Sequence, residues 1–262
     1  MIEFEAWPKI PRLFKPMVVT EKIDGTNAAV VIEKIPVGSF WNDLKGPRGT
    51  LRANTLDEYR AAVVKVGMSG ETNEATFVVG AQSRNKLITP EQDNAGFARW
   101  AFENAEDLVR LLGPGRHFGE WWGSGIQRGY GLPKGEKRFS LFNRHRYSTL
   151  VSLEAEGVTG LVGLVPLLAE GPFDLDDVRH ILADLRKNGS KAAPGFMNPE
   201  GVVVFHEAGR QVYKAFVEDD GKPKSLTAGA IDLAKSANRP VEQFQIPSDY
   251  LDALAKEPRG FA

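Results

Sequence analysis

The chain contains no cysteine in 262 residues, which excludes disulfides, thiolate zinc sites and cysteine nucleophiles together. It has four histidines, His117, His145, His180 and His206, too scattered to suggest a histidine metal site. No apolar run approaches the roughly 20 residues of a membrane span, and the start MIEFEAWPKIPRLF lacks a basic stretch followed by an apolar one. A monomer in a reducing cytoplasm, with no membrane partner, is the expectation. Nor does either sign of charge dominate: 33 Lys and Arg face 34 Asp and Glu, so any surface for a polyanion must be a local patch. There is no internal repeat or low-complexity segment.

What is present is ordinary for a globular chain: 42% hydrophobic and 26% charged residues, enough for one large core with a small appendage. Residues 17–33 read as two strands, VVTEK and AAVVIE, flanking the turn formers Asp24-Gly25-Thr26-Asn27, which favour a sharp reversal. A helix is expected over 56–66, in what looks like an insertion, and a strand over 76–82 delivers Ser83, Arg84 and Asn85 into a loop. Helical spacing over 90–112 fits two helices joined near Asn104, and residues 174–187 form an amphipathic helix closed by Asn188-Gly189. Strands are expected in RHFGEWWG, KRFSLFN, GVVVFH and QVYKAFVE, the last two meeting at the turn 207–210. Hairpins and irregular links, rather than βαβ crossovers, imply an α+β chain of antiparallel sheets flanked by helices. Short helical pieces follow residue 225, with too few strands for a barrel.

The sharpest local signal is Glu21-Lys22-Ile23-Asp24-Gly25-Thr26-Asn27. Lysine is a nucleophile only when neutral, and at its ordinary pKa about one in a few thousand is neutral at pH 7, so a chemical role needs burial or a neighbouring cation. By chance alone KxDG arises in roughly one chain of this length in twenty, and it is equally the start of an ordinary hairpin. A second constellation, His117-Phe118-Gly119-Glu120-Trp121-Trp122-Gly123-Ser124-Gly125-Ile126-Gln127-Arg128, surrounds one carboxylate with aromatic residues before a glycine loop; a tryptophan-rich core strand would read the same way. In Phe139-Ser140-Leu141-Phe142 alternate residues of a strand share a face, and one phenylalanine could stack on a base, although a core role is the commoner one for a strand phenylalanine. Glu200 stands at the mouth of a buried strand and Lys214 within the next. Glu120 and Glu200 could together hold Mg²⁺, with Lys214 and Arg84 offsetting phosphate charge.

The order KIDG, SRN, FGEWWG, FSLF, EGVVV and YKA, each occurring once across 22–215, resembles the covalent nucleotidyltransferases. It is most similar to the ATP-dependent RNA ligases of the phage type that seal nicked duplex RNA, because EKIDGTN carries the Thr-Asn extension and GEWWGSGIQRGY matches that family's GxGIQ segment. The resemblance implies a nucleotidyltransferase domain over 1–224 with a short helical extension over 225–262. It implies ATP and Mg²⁺ or Mn²⁺ as cofactors, and as partner RNA bearing 5′-phosphate and 3′-hydroxyl ends. It further implies that Lys22 carries AMP, that Glu21, Ile23 and Asn27 lie beside the nucleotide, and that Asp24 helps set the lysine and the metal. Arg84 would contact phosphate or ribose, Glu120 the ribose, Phe142 the adenine, Glu200 the metal and Lys214 the α-phosphate. The chain departs from the family pattern at Phe216, where a second lysine often stands, leaving Lys222 or Lys224 to replace it. A DNA ligase, a capping-type nucleotidyltransferase and a non-catalytic binding module for nucleotides or nucleic-acid ends are the alternatives.

Overall fold

A computed structural model of the chain describes residues 3–7, 9–36, 61–67, 74–147, 149–150 and 160–218. Two β-sheets dominate. The smaller contains β1 (Pro16–Lys22), β9 (Leu167–Pro172), β10 (Gly201–His206) and β11 (Gln211–Phe216), in the order β11-β10-β1-β9. The larger contains β2 (Thr26–Lys34), β3 (Ala62–Gly67), β4 (Glu74–Ser83), β5 (Leu87–Ile88), β6 (Gly115–Gly123), β7 (Lys137–Leu141) and β8 (Gly163–Leu164), in the order β3-β4-β2-β6-β7-β8 with β5 beside β4. Every pairing is antiparallel except β7 with β8, as expected of an α+β chain without regular crossovers.

Two helices, α1 (Phe97–Glu103) and α2 (Ala105–Leu112), cover one face of the larger sheet. Strand alternation sends Ala28, Val30 and Ile32 of β2, Val79 and Ala81 of β4, and Trp121 of β6 into that core. A third helix, α3 (Leu175–Asn188), covers one face of the smaller sheet. There Val178 and Leu185 meet Met17, Val19, Val202 and Val204. Its start is capped by Asp174, whose side chain accepts from the Asp176 N–H, and Gly189 ends it in a left-handed conformation, φ 80°. No helix among the described residues is long and apolar enough to cross a membrane.

Two local expectations change. The DGTN segment does not close a hairpin: β1 pairs with β9 and β10, whereas β2 pairs with β4 and β6, so the chain passes from one sheet to the other at Asp24-Gly25. Gly25 is required there by proximity, since a Cβ on it would lie 2.5 Å from the Trp121 carbonyl oxygen. The helix expected over 56–66 is, in its described part, strand β3, because the β-branched run Val63-Val64-Lys65-Val66 pairs with β4 instead. Residues 56–60, the 46–49 GPRG, the helical pieces after 225 and the domain boundary at 224 lie outside the described residues.

Candidate active site

Lys22 ends β1 on the face opposite α3, beside Gly201, the first residue of β10. Gly201 is needed because a Cβ there would meet the Ala215 carbonyl oxygen of β11 at 2.1 Å. The tight three-strand approach places Glu200, one residue earlier, against the lysine: Nζ donates to Glu200 Oε2 at 2.5 Å. Glu200 is fully buried, while Lys22 keeps about a quarter of its side chain exposed.

The larger sheet supplies a second carboxylate. Asn27 of β2 stands opposite Glu120 of β6, and its Nδ2 donates to Glu120 Oε2 at 2.8 Å while the Gly25 N–H donates to Oε1 at 3.1 Å. Burial drives the Glu120 carboxyl up to about 7, and the neighbouring Glu200 pushes the same way. Lys22, Asn27 and the Gly25 N–H pull it down without cancelling the burial. Three residues from widely separated motifs, Lys22, Glu120 and Glu200, are therefore near enough to feel one another's charge. Two buried carboxylates share one amine, an arrangement whose oxygen donors suit a hydrated divalent cation.

Lys214 lies on the same face of the smaller sheet as Lys22, two strands across and two residues along, a Cα separation of about 12 Å by sheet geometry. Its Nζ sits over the Phe216 ring, 5.4 Å from the centroid, so the position expected to lack a second lysine instead holds the first lysine's cation–π partner. Phe142 follows β7 with its backbone N–H on the Phe118 carbonyl and its ring partly exposed. Arg84 is exposed just after Ser83, which pairs with Ala28 next to Asn27, so it stands at the same end of the larger sheet as Glu120.

Three motif residues have other duties. The Ile23 side chain is buried with Trp122, Tyr130 and Ala193. The Glu21 carboxylate points to the α3 side of its strand and is consumed there: Oε1 accepts from Ser190 Oγ at 2.5 Å, and Oε2 from the Lys191 and Ala192 N–H groups at 2.7 and 2.9 Å. Burial raises the Glu21 carboxyl above its ordinary value, against the pull of those donors. Asp24 accepts from Arg128 Nε at 3.0 Å, and its N–H donates to Tyr130 Oη at 2.8 Å, so it braces the crossover between the sheets.

Arg128 and Tyr130 were not expected as site residues. The Arg128 guanidinium also donates through Nη1 to the Asn198 carbonyl at 3.0 Å, to Asn198 Oδ1 at 2.6 Å and to the Pro199 carbonyl at 3.4 Å. One side chain thus ties the segment just after Lys22 to the segment just before Glu200. The loop presenting it is strained: Gln127 and Tyr130 have φ of 46° and 51°, left-handed values that cost a non-glycine residue about 1–3 kcal/mol each. The only sequence signal for this staple was the arginine inside GSGIQRGY, and its partners lie 70 and 104 residues away. Far from this site, His145, Glu170 and Glu207 gather at the surface, with His145 Nε2 3.6 Å from Glu170 Oε1.

A family model described as RNA ligase matches residues 15–216, which include every site residue above. Among solved structures, the chain is similar to a Naegleria gruberi RNA ligase mutant with AMP and Mn, at 20% identity over 78% of this chain and 50% of that one, TM-score 0.42. It is also similar to an archaeal ATP-dependent RNA ligase, at 17% identity over 96% of this chain and 56% of that one, TM-score 0.42. The chain thus spans about half the length of these proteins. No curated protein matches it.

Proposed function

The chain belongs to the RNA ligase family, and from that premise we propose that it joins RNA ends at the expense of ATP through an AMP carried on Lys22. The observation that carries the reading is the convergence of Lys22, Glu120 and Glu200 from three distant motifs. In the first transfer the freed Lys22 amine forms a bond to the α-phosphorus of ATP as the bond to pyrophosphate breaks. The ammonium must first leave Glu200 and give up a proton to solvent. In the second, a 5′-phosphate oxygen of the RNA attacks the same phosphorus and the lysine leaves, giving a 5′–5′ linkage. In the third, an RNA 3′-hydroxyl attacks the activated phosphate, AMP departs, and a phosphodiester remains. All are in-line displacements, in which alignment of the reacting groups and neutralisation of phosphate charge supply most of the acceleration.

Glu120 and Glu200 would hold Mg²⁺ or Mn²⁺, which when bound would neutralise charge on the phosphates. Lys214 and Arg84 are the cations this reading assigns to phosphate, Phe142 the ring it assigns to adenine. Nicked duplex RNA is the substrate favoured by the motif pattern, with the protein acting as a monomer. The adenylyltransferase domain is placed at 1–224.

Incubation with ATP labelled at the α-phosphate tests the first transfer. Wild type should become labelled, and Lys22→Ala should lose the label completely; a variant that still labels removes Lys22 from the reaction. Incubation of labelled protein with nicked RNA, nicked DNA or 5′-diphosphate RNA separates an RNA ligase from a DNA ligase and a capping enzyme. A protein whose intact mass never gains an AMP is a binding module instead.

A further inference from the structure

Several large aromatic side chains of the described residues are interior: Phe77, Phe97, Phe139, Trp121 and Trp122 are all buried. The N-terminal segment is different, with Phe4 93%, Trp7 88% and Ile10 86% exposed, and Leu13 and Phe14 exposed after them. Tryptophan is rarely left so bare, and a row of exposed apolar residues marks a contact surface. The described residues of this segment join no helix or ladder. The spacing is nevertheless regular: Phe4, Trp7, Ile10 and Leu13 recur every third residue, and Lys9, Arg12 and Lys15 recur every third residue in another phase. Three residues per turn is the period of a polyproline II chain, which the prolines at 8, 11 and 16 favour. An apolar edge, with rings at Phe4 and Trp7, and a cationic edge then run side by side.

The strip is fastened to the fold at one end. His206 Nε2 lies 2.7 Å from the Leu13 carbonyl oxygen, and the Phe173 N–H donates to the Lys15 carbonyl at 3.0 Å. It leads directly into β1, whose other end is Lys22, about 20 Å along the strand. No carboxylate occurs between Glu5 and Glu21, so the segment is locally basic in a chain of net charge −1.

Exposed rings followed by cations suit unpaired nucleotides, because bases stack on Phe4 and Trp7 while phosphates meet Lys9, Arg12 and Lys15. A duplex offers its cations phosphates but its rings no free base faces. We propose that this strip binds unpaired RNA adjoining the ends brought to Lys22, beginning about six stacked nucleotides from the lysine at about 3.4 Å per nucleotide. The proposal rests on the ligase reading and adds that the RNA carries an unpaired stretch beside the ends to be joined; a nick paired along its whole length would not engage the rings.

The test uses the full chain with fluorescent 5′-phosphorylated RNA, single strands of about 12 and about 4 nucleotides and a duplex of about 12 pairs, lengths set by the spacing above. The Phe4→Ala/Trp7→Ala variant and the Lys9→Ala/Arg12→Ala/Lys15→Ala variant should each bind the longer strand at least about tenfold more weakly, since each stacked base contributes strongly. The shorter strand should bind both variants as it binds wild type; the duplex should bind the ring variant as wild type and be weakened only by loss of the three cations. Loss of three phosphate contacts should also reduce the slope of log affinity against log salt by about 2. Trp7→Phe should restore binding, and AMP labelling should be unchanged in every variant. Unaltered affinity for the longer strand overturns the proposal, as does wild-type self-association that the variants abolish while RNA affinity stays the same. Strip-dependent RNA binding by a wild-type protein that takes no AMP label would defeat the ligase reading alone.

Discussion

At the scale of single residues, Glu120 carries a conflict that can be measured. Its carboxyl is buried and pushed up to about 7 from an ordinary 4.5. Because the folded value lies above the unfolded one, the folded state binds the proton more tightly. The stability this carboxyl contributes is complete below about 4.5 and is lost as pH rises through about 7. In metal-free, nucleotide-free protein, Glu120→Gln should therefore be no more stable than wild type at pH 4.5 and should gain steadily up to pH 7. The gain is at most about 3 kcal/mol from the shift, less about 1 kcal/mol for a weakened bond to Asn27 or Gly25. Thermal melts of the two proteins across that range measure it, and curves that stay parallel would remove the burial argument. AMP labelling of the variant should nonetheless fall at every pH. The motifs carrying Lys22, Glu120 and Glu200 were legible in the sequence because each sets a charged residue within a few positions of a glycine, Gly25, Gly119 and Gly201. The side chains of Ile23 and Glu21 meet core and loop partners for a related reason: adjacent residues of a strand point to opposite sides, so a motif written as a continuous string mixes cleft residues with core and loop-clamping ones.

At the scale of elements, the crossover between the sheets matters most. Lys22 ends β1, Thr26 begins β2 in the other sheet, and only the segment between them fixes how the lysine meets Glu120. Arg128 holds that segment to the loop before Glu200 through Asp24, Asn198 and Pro199. Removing it frees both arms of the Lys22–Glu200 pair, so Arg128→Ala should slow AMP transfer to Lys22 about ten- to a hundredfold and cost about 1–3 kcal/mol. Arg128→Lys should recover little, since one ammonium cannot reproduce a planar fork with partners on two sides. Rapid-quench labelling with saturating ATP tests this; a variant labelled at the wild-type rate would reduce Arg128 to a surface contact. The staple was invisible in the sequence because nothing local reports a bond spanning 104 residues. The hairpin expected at DGTN failed for the same reason: turn formers specify a reversal, but the strand partners, β10 and β6, are chosen by long-range packing. The paired helices α1 and α2, the capped helix α3 and the β10–β11 hairpin were legible because their caps, stops and turn residues are local.

At the scale of the whole molecule, each sheet is backed by its own helices, and a third cluster around Ile23, Trp122 and Tyr130 gathers residues from the crossover, β6 and the loop after it. The first compact unit, Met1–Glu218, encloses all three clusters and every candidate site residue, the last being Lys214 in β11. If AMP transfer to Lys22 needs only those groups, a chain ending at residue 224 should fold, label with ATP at a rate within about tenfold of the full chain, and keep the label's dependence on Lys22 and Glu120. End joining is a harder demand, because the nucleic acid must be held while two further transfers occur; if residues 225–262 add to that hold beside the N-terminal strip, the shortened chain should join nicked RNA far more slowly than it labels itself. Circular dichroism establishes that the shortened chain is folded, and single-turnover assays of the two reactions then compare them. A folded chain 1–224 that takes no label would place an essential group beyond residue 224, with Lys222 and Lys224 no longer sufficient to replace the lysine missing at Phe216.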